Sequence, residues 1–155
     1  MEWPQSFYEL RRGIGCPMCA EGRPDETRFG ARIFAGKLAD AYLQRASVQR
    51  GYTIVVWRGR HVAEPTELDD EEAATYWLEV LRVARAIESH LEPVKTNYDV
   101  LGNEVPHLHT HLVPRYADDP RPGWPFPFPA DEPPPIEEGA FRADVEALRA
   151  LLRPS

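Results

Sequence analysis

The chain has 155 residues, 43% of them apolar, and a formal net charge of −7, which suits one domain with a real core. The acidic balance argues against non-specific binding to nucleic acid or to anionic membranes, since both need net basic surface. It leaves room for a local basic pocket that takes a small phosphate-bearing ligand. Arg45, Arg50, Arg58 and Arg60 lie close together in sequence and are candidates either for that pocket or for a solvated rim.

The first residues, MEWPQSFYELRRG, lack the basic start and apolar run of a secretory signal. The longest apolar stretches, such as IVVW, are far too short to cross a bilayer. Cys16 and Cys19 are the two cysteines, and a disulfide closing so short a loop would add little, so a reducing cytoplasm is expected. RFGARIFA (28–35) and DAYLQRA (40–46) carry β-formers, and GYTIVVWRG (51–59) is a stronger strand bounded by glycines. Asp69 followed by Glu72 fits a capping box at the start of a helix over 69–91, and Pro93 stops it. Trp77, Val80, Leu81, Ala84, Ile87 and Leu91 follow helical spacing and predict its buried face. VKTNYDVL and PHLHTHLVP read as two further strands around the turn GNEV. Nine of the sixteen prolines fall between Pro114 and Pro135, which excludes a regular element there. EEGAFRADVEALRALL then predicts a last helix with Phe141, Val145, Leu148 and Leu152 on one face. No internal repeat is visible. Strands, one long helix and two more strands point to an α+β fold with an antiparallel sheet.

HLHTHL at 107–112 places three of the five histidines in alternation. On a strand over 107–113, His107, His109 and His111 share one face, with neighbours roughly 7 Å apart. Three readings follow. The histidines line a wet sheet face and do nothing. Or they hold a catalytic zinc with an open fourth position, although only Glu104 is a nearby acidic group. Or one imidazole attacks a phosphate to form a phosphoramidate while a second donates a proton to the leaving group.

HLHTHLV resembles the alternating His-apolar signature of the histidine-triad (HIT) family of nucleotide hydrolases and transferases, with Thr110 as a soft departure. CPMC, GYTIVVWRGRHV before the long helix, LGNEVPHLHTHLVPRY and the Pro-rich stretch are similar to bacterial members, so the resemblance covers roughly 14–125. It implies an antiparallel sheet with one long helix and a C-terminal helix after the Pro-rich segment, in one domain over 1–155 with its core at 14–116. It implies hydrolysis or transfer at the α-phosphate of a nucleotide phosphoramidate, a dinucleoside polyphosphate or a related conjugate. His109 matches the nucleophile, His111 the histidine at the phosphate and leaving group, and His107 the support whose carbonyl holds the nucleophile's other nitrogen. Asn97 and Asn103 match amides near phosphate oxygens, and Gln44 matches a ribose-binding position. No metal is required for the chemistry. The alternatives are a nucleotide-binding protein with little turnover and the three-histidine zinc hydrolase. The resemblance further implies a homodimer through the long helix and an edge strand, with Tyr76 and Trp77 as candidate contacts. Trp124, Phe126 and Phe128 are candidates to close over the leaving-group side.

Two departures from the family pattern bear on specificity. Tyr52 stands after Gly51 where the family often has histidine, so that histidine's contribution is missing, and the loop before the triad is short. The pair Cys16 and Cys19 is by itself a weak zinc signal, because tetrahedral zinc needs two more ligands. Relatives with this pair add a histidine after the apolar strand and the first histidine of the triad. The resemblance therefore implies a structural zinc on Cys16, Cys19, His61 and His107. His90 reads as a plain histidine at a helix C-terminus.

Overall fold

The computed structural model of the chain describes residues 2–154. Five strands form one antiparallel sheet in the order β1-β2-β3-β5-β4: β1 (Gly30–Ala35), β2 (Ala39–Gln44), β3 (Thr53–Trp57), β4 (Lys95–Asp99) and β5 (His109–Arg115). The helices are α1 (Gln5–Arg11), α2 (Pro17–Glu21), α3 (Asp70–Leu91) and α4 (Glu138–Leu152). The α+β class and the antiparallel sheet are as the sequence predicts. α1 and α2 left no periodic signal, because each is at most two turns long and buries none of its residues.

The period of two gives the sheet two different faces. One cross-strand row of the core face runs Ala31, Leu43, Thr53, Leu112, and the next runs Phe34, Ala41, Val55, Thr110. These residues are buried together with the inner sides of α3 and α4. The opposite face carries the row Arg32, Tyr42, Ile54, His111, Asp99, with Val56 beside His109 one pair further on. Polarity is therefore sorted by the pleat, apolar towards the helices and titratable away from them.

α3 begins at the capping box the sequence shows: Asp69 accepts from the Glu72 amide and Glu72 accepts from the Asp69 amide. It ends where Glu92 turns left-handed (φ 48°), just before Pro93. Its buried stripe is Tyr76, Val80, Val83, Ala84, Ala86 and Ile87. Leu81 is 36% exposed, one position off that stripe, and Trp77 and Leu91 pack only at its margin. Tyr76 is fully buried, and its hydroxyl meets Thr110 Oγ1 at 2.8 Å and the Val55 carbonyl at 3.3 Å. A residue so enclosed is no dimer contact, which corrects that expectation. α4 buries Phe141, Val145, Leu148 and Leu152 against β1 and α3, as its spacing predicts.

His90 has a more specific place than a helix end. Its Nε2–H donates to Asp144 of α4 at 2.9 Å, and Arg50 grips the same carboxylate through two nitrogens. Burial raises the Asp144 pKa, but these two partners outweigh it and hold the group below the usual carboxylate range. The segment 116–134 carries no helix or strand, as its prolines dictate. Ile87→Ala should lower the unfolding free energy by about 2–5 kcal/mol, whereas Leu81→Ala should change it by less than about 0.5 kcal/mol. Urea unfolding of the two variants measures the difference, and equal losses would contradict the face assignment.

Candidate functional site

β5 starts at His109, so the triad is not one straight strand. His107 lies ahead of it, where Leu108 bridges two segments: its amide donates to the Val62 carbonyl and its carbonyl accepts from the Trp57 amide. His107 is buried, and its Nε2–H donates to the Trp57 carbonyl at 2.8 Å. A carbonyl can only accept, and burial lowers the His107 pKa to about 4, so the ring is neutral with its lone pair on Nδ1. That nitrogen lies 3.5 Å from Cys16 Sγ and 3.5 Å from Cys19 Sγ. His61 repeats the device: Nε2–H donates to the Arg11 carbonyl at 3.2 Å and Nδ1 sits 3.3 Å from Cys19 Sγ.

The four donor atoms of Cys16, Cys19, His61 and His107 lie within 4.8 Å of one another. Tetrahedral zinc with its usual bond lengths sets sulfur and nitrogen donors about 3.5 Å apart. The separations, the soft and imidazole donors, and the carbonyls that orient both rings all fit that ion. His107 has both ring nitrogens committed away from His109 and His111. The three histidines consequently do not converge on a common point.

His109 is buried, and its Nδ1–H donates to the His107 carbonyl at 2.6 Å. Nε2 is left with the lone pair. Burial lowers the His109 pKa, against the pull of that carbonyl, so the ring is neutral near pH 7. The His111 ring lies 4.8 Å from it, centre to centre. Burial, then the neighbouring His109, lowers the His111 pKa to about 4. Its Nδ1 is 2.7 Å from the Tyr52 hydroxyl. The tyrosine thus reaches the triad itself, where the sequence had suggested only a missing histidine. Phe128 of the Pro-rich segment packs 5.8 Å from the His111 ring and 5.7 Å from Tyr52, and Phe126 lies 5.1 Å from Phe128.

The remaining candidates are spread more widely. Asn97 stands on β4 opposite Val113, on the triad's face, and its Oδ1 accepts from Arg115 at 2.7 Å. It lines a cavity of about 650 Å³ with Lys95, Asp99, Arg115 and Trp124. Asn103 is exposed in the loop before His107. Gln44 ends β2 and donates Nε2–H to the Tyr42 carbonyl at 3.0 Å. The four arginines do not assemble into a pocket. Arg45 pairs with Glu26 and Glu138, Arg50 with Asp144, Arg60 with Glu72, and Arg58 is buried on Asp40. Arg115 was not foreseen as an anchor, because nothing in its spacing marks it.

The HIT domain family model matches residues 30–118. Protein hit of Bacillus subtilis is 32% identical over 92 residues, 56% of this chain and 63% of that one, so the match spans less than two thirds of the relative's length. The histidine triad protein blr8122 of Bradyrhizobium japonicum superposes with a TM-score of 0.69 at 26% identity, over 80% of this chain and 91% of that one. A zinc-bound histidine triad family protein of Mycobacterium smegmatis superposes with a TM-score of 0.59 at 24% identity, over 89% and 94%, and shows the shared fold. The alternating histidines on the polar sheet face, the five-stranded sheet and the match across 30–118 converge: the chain belongs to the HIT family.

Proposed function

We propose that the chain hydrolyses nucleotide conjugates, or transfers their nucleotidyl group, at the α-phosphate through a nucleotidyl-His109 intermediate. HIT family membership supports a nucleotide-binding hydrolase or transferase kind of function. The observation that carries the finer reading is the 2.6 Å bond from His109 Nδ1 to the His107 carbonyl. It leaves a neutral imidazole with its lone pair on Nε2, the form that attacks phosphorus. In the first step the Nε2–P bond forms and the bond from phosphorus to the leaving atom breaks, with its electron pair on that atom. His111 meets the leaving atom. In the second step water, or an acceptor nucleophile, breaks the Nε2–P bond.

Asn97 is fitted to hold a phosphate oxygen, since Arg115 occupies its Oδ1 and leaves its NH₂ to donate. Asn103 would serve the same anion from the loop before His107, and Gln44 the ribose. Substrates are phosphoramidates, dinucleoside polyphosphates or related conjugates. Zinc on Cys16, Cys19, His61 and His107 would supply a structural cross-link and no part of the chemistry. A homodimer fits the open edge of β4, with Tyr98 and Val94 exposed, and Leu78 exposed on the outer side of α3. No helix of the described residues is long and apolar enough to cross a membrane. Cys16 and Cys19 as free thiols suit a reducing cytoplasm, which is where we place the protein.

Nucleoside monophosphate release from an adenosine phosphoramidate, a dinucleoside polyphosphate and a nucleoside diphosphate sugar tests the reading. Native protein should release it from at least one, and His109→Ala should lose activity by about 10⁴-fold or more. Tight binding of nucleotide without release would favour a binding protein. Elemental analysis should find one zinc per chain, and Cys16→Ser should lower both zinc content and Tm. No zinc, with both thiols freely titratable, would reject the metal site.

A further inference from the structure

We propose that Tyr52 is the positioning residue of His111: its hydroxyl donates to Nδ1 and keeps the ring proton on Nε2, the side from which the leaving group departs. The proposal rests on the reading of His109 as nucleophile given above.

The direction of the hydrogen bond follows from what each atom can do. Tyr52 is 7% exposed, and among the described residues its hydroxyl has His111 Nδ1 as its hydrogen-bond partner, at 2.7 Å. Burial and the nearby Asp99 carboxylate push the phenol up from its ordinary value, so it holds its proton. If Nδ1 carried the imidazole proton instead, the phenol hydrogen would be left without an acceptor in a buried place. Nε2 would then face the substrate with a lone pair and nothing to give. Donation by Tyr52 satisfies both groups at once. Phe128 packs against both rings and fixes their approach.

Two adjacent neutral histidines are thereby held in opposite tautomers. The His107 carbonyl puts the His109 proton on Nδ1 and the lone pair on Nε2. The Tyr52 hydroxyl does the reverse to His111. Both rings start neutral: one attacks and takes up the positive charge of the nucleotidyl-imidazole, and the next donates. A histidine at position 52 would titrate near neutrality, whereas the resting tyrosine is neutral across the working range and gives up its proton only as His111 loses its own.

The proton balance also closes. For a strongly basic leaving atom, His111 passes its Nε2 proton to that atom while Tyr52 passes its hydroxyl proton to Nδ1. In the second half, the attacking water gives a proton to Nε2, and Nδ1 returns one to the phenolate oxygen. A leaving group that departs as a stable anion needs only the Nε2–H hydrogen bond. Tyr52 therefore matters in proportion to the basicity of what leaves, which points to amine or alcohol conjugates as the substrates that use it.

Tyr52→Phe tests this with two probes, a primary alkylamine phosphoramidate and a nitrophenyl ester of adenosine monophosphate. The variant should lose roughly 10-fold to 100-fold in kcat on the phosphoramidate and no more than about 3-fold on the nitrophenyl ester. Equal losses on both would assign Tyr52 a merely structural part and overturn the proposal, as would no loss on either. Nitrogen NMR of the imidazoles is the second measurement. In native protein, His111 should carry its proton on Nε2, and Tyr52→Phe should move it to a mixture of tautomers. A proton found on Nδ1, or a tautomer unchanged in the variant, overturns the proposal whatever the activity. If native protein releases nothing from either probe, the nucleophile reading fails separately, and the NMR result still decides the role of Tyr52.

Discussion

The site depends on one residue that faces two ways. His107 sends its side chain towards Cys16, Cys19 and the Trp57 carbonyl, and its own carbonyl towards His109. The position of that carbonyl is set by how the ring is held. The Leu108 amide and carbonyl tie the same turn to Val62 and Trp57, so the backbone has no freedom to swing. A cross-link on the cysteine side therefore stiffens the group that selects the tautomer of His109. The four candidate zinc ligands and the His109 imidazole are thus joined through one peptide unit.

The polar sheet face needs this kind of fixing everywhere, because burying charge without partners is costly. Asp40 is fully buried there, and Arg23 and Arg58 both hydrogen-bond its carboxylate, with Arg32 at 3.6 Å. Arg58 also donates to the Met18 carbonyl, which lies between the two cysteines. The same ion cluster that stabilises β2 thus positions α2 and its thiols. Arginine is suited to the task, since its planar fork can hold a carboxylate and a carbonyl together. This explains why arginines adjacent in sequence did not become a phosphate pocket: their donors were already taken by the fold.

Legibility from sequence followed the reach of each signal. α3 and α4 were readable, because a capping box and many turns of apolar spacing average out local exceptions. Leu81 was misplaced, since a stripe read from spacing alone carries an uncertainty of about one residue in its azimuth. The alternation of the histidines marked the site, but it also suggested one strand through His107. Only the long-range bonds of Leu108 and the ring of His107 show that the strand starts later. The four cysteine and histidine ligand candidates were recoverable through the family resemblance, while the roles of Tyr52, Asp40 and Arg115 were not. Tyr52 and Asp40 depend on partners far away in the chain, and Arg115 holds a proline-rich segment that has no period to read.

The Pro-rich segment shows how an irregular stretch can still present a defined wall. Its prolines remove amide donors, so no ladder can hold it to the sheet. Arg115, at the end of β5, replaces that ladder. It hydrogen-bonds Asp119 and donates to the carbonyls of Arg121 at 3.1 Å and Trp124 at 3.0 Å, as well as to Asn97 at 2.7 Å. Its guanidinium carbon also lies 5.6 Å from the centre of the Phe126 ring. Further along, Ser47 and Arg45 fasten the segment at Pro134 and Ile136. Between those two anchors Phe128 packs against His111 and Tyr52. The wall beside His111 is therefore set by the same side chain that orients Asn97. In the proposed reaction, substrate shape on the leaving-group side and amide direction on the phosphate side would be coupled through Arg115.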